Sequence, residues 1–222
     1  MKKIVSLLLT LTFCLSCLCT PALALKGQVV DPTELPYIMN ESAPSSWAVS
    51  EIAAAQQAGL IPALTGNPGF QDSITREQFA ELSLQLVKTV YGKGADMVNA
   101  KSFSDCTNPA VLEASAFGIV EGSDGKFSPK NTTDRQQIAT MLGRSITTLK
   151  DLTGKDAAPK ASSVDQFSDK GAIASWAKSG VGLLAANGIM QGSSGKVMPT
   201  APCTVEQSIL MCYRIYQTFG MD

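Results

Sequence analysis

The chain of 222 residues contains no histidine, and this absence removes several kinds of catalytic site. Without imidazole there is no Ser–His or Cys–His nucleophilic pair and no histidine-containing metal site. Aromatic residues make up only 6% of the chain, and the two tryptophans are Trp47 and Trp176. Positive charge is neither abundant nor clustered, with 18 Lys and Arg residues against 19 Asp and Glu. Nothing in this charge balance favours a nucleic-acid partner.

The remaining catalytic patterns are weak. Ser-x-x-Lys occurs three times, but the Ser-Asp-Asn and Lys-Thr-Gly motifs of the serine acyl-enzymes are missing. The glycine-containing turns that end at Lys126 and Lys196 lack the spacing of a phosphate-binding loop, and a lysine does not suit a calcium loop. We therefore expect no catalytic residues, no cofactor and no metal. A carboxylate pair for glycoside hydrolysis stays open, so a hydrolase is the distant alternative.

The first residues have the three-part order of a secretory signal peptide. Lys2 and Lys3 supply a positive start, residues 4–19 are apolar, and Ala22-Leu23-Ala24 offers small residues for cleavage. We expect residues 1–24 to be removed and the protein to be exported. An uncleaved anchor and a lipoprotein are the alternatives.

Cysteine is scarce beyond the signal segment. The three cysteines that remain are Cys106, Cys203 and Cys212, so at most one internal disulfide can form. Cys212 stands on an apolar helix face, which predicts a buried free thiol. Whether Cys106 and Cys203 are bridged is left open.

A three-fold internal repeat organises the rest of the chain. Gly59, Gly118 and Gly188 each close a helix-like stretch, and they are separated by 59 and then 70 residues. The same two offsets relate Trp47 to Cys106 and Cys106 to Trp176. Repetition of this kind indicates supersecondary units that complete one another's core.

Each unit is predicted to be a helix, a loop and a second helix. Glycine closes the first helix because it tolerates the left-handed conformation. The second helix carries apolar residues at helical spacing in all three units. The fold class is therefore all-α. The predicted segments are a signal peptide at 1–24, an extended lead-in at 25–45, repeats at 46–92 and 103–149, a polar linker at 150–163 and a third repeat at 164–222.

The second helices begin with a common capping pattern. Thr75, Asp134 and Thr204 are good N-cap residues, and each is followed three positions later by glutamine. This spacing predicts a capping box at all three starts. The cap explains the threonine or aspartate and the glutamine, but it does not explain the arginine that follows Thr75 and Asp134.

These patterns together resemble three tandem S-layer homology motifs. The first unit contains the motif segments Trp47-Ala, Gly59-Leu-Ile and Thr75-Arg76-Glu-Gln-Phe79. The second unit contains Phe103-Ser-Asp105, Gly118-Ile-Val-Glu-Gly122, Asp124-Gly-Lys-Phe127-Ser-Pro129 and Asp134-Arg135. The third unit contains Phe167-Ser-Asp169, Trp176-Ala and Gly188-Ile-Met-Gln-Gly192. The resemblance covers nearly all of the chain that follows the signal segment.

The resemblance implies a pseudo-three-fold bundle of repeats and an extracellular protein of the cell wall or cell surface. It also implies non-covalent binding of secondary cell-wall polysaccharide, often pyruvylated, in grooves between motifs. An arginine fork suits a carboxylate, and tryptophan suits a sugar ring. The implied ligand-binding residues are Arg76, Arg135, Trp47, Trp176, Gly122, Asp124, Gly125 and Gly192.

Departures from the family pattern limit the number of grooves. Val205 replaces the arginine of the third unit and Cys106 replaces the tryptophan of the second, so we expect at most two functional grooves, at Arg76 and Arg135. The arginines could instead be surface charges. Core packing of both tryptophans is favoured over ligand contact, because each starts a packed helix. The alternative function is a degenerate scaffold for protein–protein interaction or surface assembly without glycan binding.

Overall fold

The computed structural model describes residues 42–156, 158 and 160–219. The predicted signal peptide and most of the predicted lead-in lie outside these residues. The α-helices are α1 (Val49–Gln57), α2 (Arg76–Tyr91), α3 (Pro109–Ala116), α4 (Arg135–Thr153), α5 (Lys178–Ala186) and α6 (Val205–Thr218). Short 3₁₀ helices cover Met97–Asn99, Lys170–Ala172 and Ser175–Ala177. The all-α prediction is confirmed, since the described residues contain isolated bridges and no strand.

Short and long helices alternate, as the repeat predicts. Gly59, Gly118 and Gly188 follow the short helices with φ of 70°, 74° and 75°, the left-handed conformation that favours glycine. The amide after each glycine reaches back one turn; Leu60, for example, donates to the Ala55 carbonyl at 3.0 Å. The predicted glycine ends of the first helices are therefore confirmed.

Two of the three predicted capping boxes form. Thr75 and Thr204 each accept from the backbone N–H of the glutamine three residues on, and each glutamine side chain accepts in return. At α4 only half of the box exists: Asp134 accepts from Gln137 N–H at 2.9 Å, without the reciprocal bond. Gln136 Nε2 instead donates to the other Asp134 oxygen at 3.3 Å, so the prediction for Gln137 was wrong.

The long helices turn their apolar faces into one shared core. Most of the residues predicted to face it are buried, and Val90, Tyr213 and Tyr216 are only partly buried. The buried ones are Phe79, Leu82, Leu86 and Val87 on α2, Ile138, Met141, Leu142, Ile146 and Leu149 on α4, and Ile209, Cys212, Ile215 and Phe219 on or next to α6. Phe79 and Leu142 are fully inaccessible to solvent. Burial of these side chains is the main stabilising contribution, at about 1.5–3 kcal/mol for each large one.

A closed ring of backbone hydrogen bonds joins the residues just before the three long helices. Ile74 N–H donates to Cys203 O at 2.9 Å, Cys203 N–H to Thr133 O at 3.1 Å, and Thr133 N–H to Ile74 O at 3.0 Å. The three residues are related by the offsets of 59 and 70. Each unit thus contacts both of the others. The pseudo-three-fold arrangement itself stays a prediction.

The segment predicted as a linker is partly helical. Helix α4 continues to Thr153 and ends at Gly154, whose φ is 72°. Lys150 on this last turn pairs with Asp156 at 2.8 Å. No helix within the described ranges has the length and apolar character that a membrane crossing would require.

The three described cysteines are free and buried. Cys212 is fully buried, and desolvation raises the pKa of its thiol far above the ordinary value, with a smaller contribution from nearby Cys203. The prediction of a buried free thiol at Cys212 is confirmed. Cys106 and Cys203 are not bridged in this structure.

Candidate ligand-binding grooves between repeat units

Two open grooves lie where the units meet, and each contains one arginine of a long-helix start. The Arg76 groove, of about 420 Å³, is lined by Arg76, Glu121, Gly122, Ser123, Lys126, Phe127, Ser128, Asn131, Gln137, Thr140, Met141, Arg144 and Trp176. The Arg135 groove, of about 220 Å³, is lined by Trp47, Arg135, Ile189, Gln191, Gly192, Ser193, Met198, Gln207, Leu210, Met211 and Arg214. All three units contribute to each groove.

The groove arginines also hold neighbouring units together. Arg76 donates from Nε to Phe127 O at 2.8 Å and from Nη2 to Glu121 O at 2.9 Å. Its guanidinium carbon lies 4.8 Å from the centre of the Phe127 ring. The fixed guanidinium therefore has a structural role, and neither backbone bond uses the N–H donors of Nη1.

Arg135 repeats this geometry one unit further along the chain. Its Nε donates to Val197 O at 2.7 Å and its Nη2 to Gln191 O at 2.8 Å. Arg135 is only 8% exposed, whereas Arg76 is partly exposed. Both arginines are therefore fixed to the loop of the next unit, and the alternative of a surface charge does not fit the buried Arg135. Ligand binding by either arginine stays a prediction.

The tryptophans lie in the grooves and not in the core. Trp47 is 56% exposed and Trp176 is 55% exposed, so the prediction that core packing is favoured was wrong. Each belongs to the turn that leads into a short helix, and the small residue next to it, Ala48 or Ala177, is the one that is buried. The aromatic faces remain accessible beside the arginines.

Gly122 and Gly192 line the grooves, and neighbouring atoms leave no room for a side chain at either position. A Cβ on Gly122 would lie 2.3 Å from Lys126 O and 2.7 Å from the Phe103 ring. The corresponding distances at Gly192 are 2.4 Å to Lys196 O and 2.8 Å to the Phe167 ring. A side chain cannot be accommodated at either position, so these glycines shape the groove walls.

Asp124 and Gly125 lie in the same turn as Gly122 but are not among the groove-lining residues. Both are exposed and have positive φ, at 51° and 73°. The carboxylate that organises this turn belongs to Asp105, which accepts from Phe127 N–H at 2.7 Å and from Ser128 N–H at 2.9 Å. These bonds, with the Phe127 bond first, lower the pKa of Asp105 below its ordinary value.

Each groove has a second arginine that the sequence interpretation missed. Arg144 lies in the Arg76 groove and Arg214 in the Arg135 groove, and the two are separated by the repeat offset of 70 residues. Burial lowers the pKa of Arg76, and the positive charge of Arg144 lowers it further. Two guanidinium groups that repel each other in this way favour an anion between them. The repeat alignment could have revealed the second pair.

Gln137 also lines the Arg76 groove. Its Oε1 atom is buried and has no hydrogen-bond partner among the described residues, because the capping box of α4 is incomplete. Buried side-chain oxygens are normally satisfied, and an orphan acceptor of this kind is costly. The side chain is therefore a candidate to meet a polar group of a ligand.

The third junction between units lacks both groove arginines and the tryptophan. The repeat offsets place Val205 at the Arg76 position, Gln85 at the Arg144 position and Cys106 at the Trp176 position. Val205 and Cys106 are buried, and Gln85 Nε2 donates to Gly59 O at 2.7 Å. The two departures noted in the sequence thus affect a single junction and leave the other two intact.

A polar network occupies this third junction. Glu81 accepts from Thr65 N–H at 2.9 Å and from its hydroxyl at 2.5 Å. Asn108 Nδ2 donates to Glu81 at 2.8 Å and to Glu77 at 2.9 Å. The carboxylates give this junction negative charge where the others have arginines.

Comparison with known proteins finds a match for two of the repeats. Residues 103–139 and 166–204 match the family model of the S-layer homology domain. The second and third units are therefore similar to S-layer homology domains, and these two matches cover about a third of the chain. The assignment of residues 46–92 as a further motif stays a prediction.

Three similar proteins share this type of region. An endoglucanase of Bacillus sp. (strain KSM-635) is 30% identical over 105 residues, 44% of this chain and 11% of that protein. Exoglucanase XynX of Acetivibrio thermocellus is 28% identical over 43% of this chain and 10% of its own length. An amylopullulanase of Thermoanaerobacterium thermosulfurigenes is 29% identical over 43% of this chain and 6% of its own length. The chain thus spans about a tenth or less of the length of these relatives.

Proposed function

We propose that the protein attaches non-covalently to secondary cell-wall polysaccharide at the cell surface, through the Arg76 and Arg135 grooves. The observation that carries this proposal is the repeated combination of two arginines and one exposed tryptophan. Each combination is assembled from three different units, and the third junction lacks all of its members. An acidic sugar, such as a pyruvylated one, is the ligand that this chemistry favours.

Each groove component has a distinct part in this function. The two guanidinium groups supply N–H donors and positive charge for a carboxylate, and the backbone bonds of one of them fix its orientation beforehand. The exposed indole provides an apolar face for the ring of the sugar. In the Arg76 groove, the orphan Gln137 oxygen can accept from a sugar hydroxyl. These are binding contacts, and we propose that the protein is not an enzyme.

Tryptophan variants provide the cleanest test, because Trp47 and Trp176 are more than half exposed while the arginines stabilise the fold. Purified protein is titrated with polysaccharide extracted from cell-wall sacculi. Each single Trp→Ala variant should weaken binding about 3- to 10-fold, from roughly 1 kcal/mol of lost aromatic contact. The double variant should lose more than either single variant, because two linked grooves bind one polymer with avidity.

Val98 offers a matched control. It is 88% exposed, it is apolar, and it does not line either groove. Val98→Ala should bind like the unaltered protein. If the folded double tryptophan variant binds as tightly as the unaltered protein, the grooves are not the glycan site. If the unaltered protein does not bind the polysaccharide at all, a scaffold that binds surface-protein partners becomes the better account of its function.

A further inference from the structure

We propose that the two grooves differ in reach: the Arg76 groove accepts a glycan segment of two or more sugar residues, whereas the Arg135 groove accepts one terminal residue. This inference rests on the proposed glycan binding and adds a length preference to it. It derives from a second cavity that adjoins the Arg76 groove and from the side chains that occupy the equivalent place beside the Arg135 groove.

The second cavity, of about 440 Å³, lies between α4 and α5. It shares Thr140, Arg144 and Trp176 with the Arg76 groove, so the two spaces adjoin each other along these side chains. Trp176 lies at the junction of the two spaces. A sugar ring held in the Arg76 groove against this indole can therefore continue into the second cavity through its glycosidic linkage.

Glycines on the facing helices provide the space. Gly143 on α4 and Gly180 on α5 lie opposite each other, and a Cβ on Gly143 would be 3.6 Å from Gly180 Cα. A Cβ on Gly180 would be 2.7 Å from Ala139 O. The helices thus approach closely at this point, and the missing side chains leave the surface above them open.

Hydroxyl groups line the second cavity. Thr140, Thr147 and Thr148 donate their hydroxyl protons to backbone carbonyls at 2.9, 3.1 and 2.9 Å, so their oxygens can accept from a ligand. Within the lining of this cavity, Arg144 is the one charged residue. Such a surface suits the hydroxyls of a neutral sugar better than a second carboxylate.

The Arg135 groove has large side chains at the equivalent positions. The repeat offsets place Tyr213 at the position of Gly143 and Glu51 at the position of Gly180. Glu51 forms a two-point ion pair with Arg214, at 2.9 Å from both Nε and Nη2. Arg214 also donates from Nη1 to Ile189 O at 3.2 Å.

Arg144 and Arg214, the second arginines of the two grooves, therefore differ in how many N–H donors remain for a ligand. Arg214 uses three of its nitrogens within the protein. Arg144 uses Nη2 alone among its described contacts, in the 2.8 Å ion pair with Glu121. The Arg76 groove thus combines a longer path with a guanidinium that has free donors along that path.

The test compares ligand length in variants in which one groove is weakened and the other is unchanged. The probes are the monosaccharide, disaccharide and tetrasaccharide fractions of a mild-acid hydrolysate of bacterial secondary cell-wall polysaccharide. Trp47→Ala weakens the Arg135 groove and keeps the Arg76 groove unchanged. The affinity of this variant should rise at least 10-fold from the monosaccharide to the tetrasaccharide. Trp176→Ala weakens the Arg76 groove and keeps the Arg135 groove unchanged. The affinity of this variant should change less than 3-fold over the same series.

A second variant targets the extension alone. Thr147 and Ser179 are exposed, and both line the second cavity but not the Arg76 groove. In the Trp47→Ala background, Thr147→Leu with Ser179→Leu should abolish the length dependence and keep the monosaccharide affinity. Monosaccharide binding without any gain from longer fragments in Trp47→Ala overturns the extension. Failure of every fragment to bind the unaltered protein overturns the proposed function itself.

Discussion

Replacement of Arg135 by alanine should destabilise the fold even when no ligand is present. The change removes hydrogen bonds of 2.7 and 2.8 Å from a guanidinium that is only 8% exposed. A hydrogen bond to a charged group contributes about 1.5–3 kcal/mol. Gln191 is exposed, so water can replace the lost donor at its carbonyl, whereas Val197 is fully buried. We therefore expect a loss of about 3 kcal/mol in the free energy of unfolding.

Arg76 provides the internal comparison. It makes the same two bonds, at 2.8 and 2.9 Å, from a more exposed position, so Arg76→Ala should cost about 1–2 kcal/mol. Arg135→Lys should recover only part of the loss, since an ammonium group cannot reproduce the planar fork. Trp47→Ala, at a 56% exposed position, should stay within about 1 kcal/mol of the unaltered protein.

Urea denaturation followed by far-ultraviolet circular dichroism measures these differences without any ligand. The reasoning is refuted if Arg135→Ala unfolds within about 0.5 kcal/mol of the unaltered protein, or if Arg76→Ala is the more damaging of the two. A confirmed order would mean that loss of glycan binding in an arginine variant must be separated from loss of folding. This is why the tryptophan variants are the better probes of the grooves.

Three further predictions concern the turn beside the Arg76 groove and the third junction. Gly122→Ala should lower the melting temperature strongly in a thermal scan, since its Cβ would lie 2.3 Å from a backbone oxygen, whereas Gly171→Ala, with no atom within 4 Å, should not. The pKa of Asp105 is lowered in the folded state, so its contribution to stability is present above the unfolded value of about 3.8 and is lost as pH falls through the lower folded value. Titration of unfolding free energy against pH should therefore show the gap between Asp105→Asn and the unaltered protein shrinking below about pH 4; a constant gap would contradict it. Val205→Arg should not create glycan binding at the third junction, because Cys106 and Gln85 still replace the tryptophan and the second arginine; a new binding step in calorimetry would show otherwise.

Local patterns in the sequence were sufficient for the helical framework. The glycines at 59, 118 and 188 and the N-caps Thr75 and Thr204 act within a few residues of themselves, so their consequences follow from sequence alone. The apolar faces of the long helices follow from spacing in the same way. Where two side chains can make the same bond, spacing predicts the outcome less well. At α4 the Asp134 carboxylate accepts from the Gln137 backbone N–H and from the Gln136 side chain, and the Gln137 side-chain oxygen has no partner among the described residues.

The grooves were decided by tertiary structure, because each one combines residues of three units that are far apart in the chain. The repeat offsets show which residues are equivalent, but they do not show which unit supplies the neighbour. The packing of the units around the ring through Ile74, Thr133 and Cys203 places Trp176 in one groove with Arg76 and Trp47 in the other with Arg135. The same packing places the losses at Val205 and Cys106 at one junction, so that two complete grooves remain.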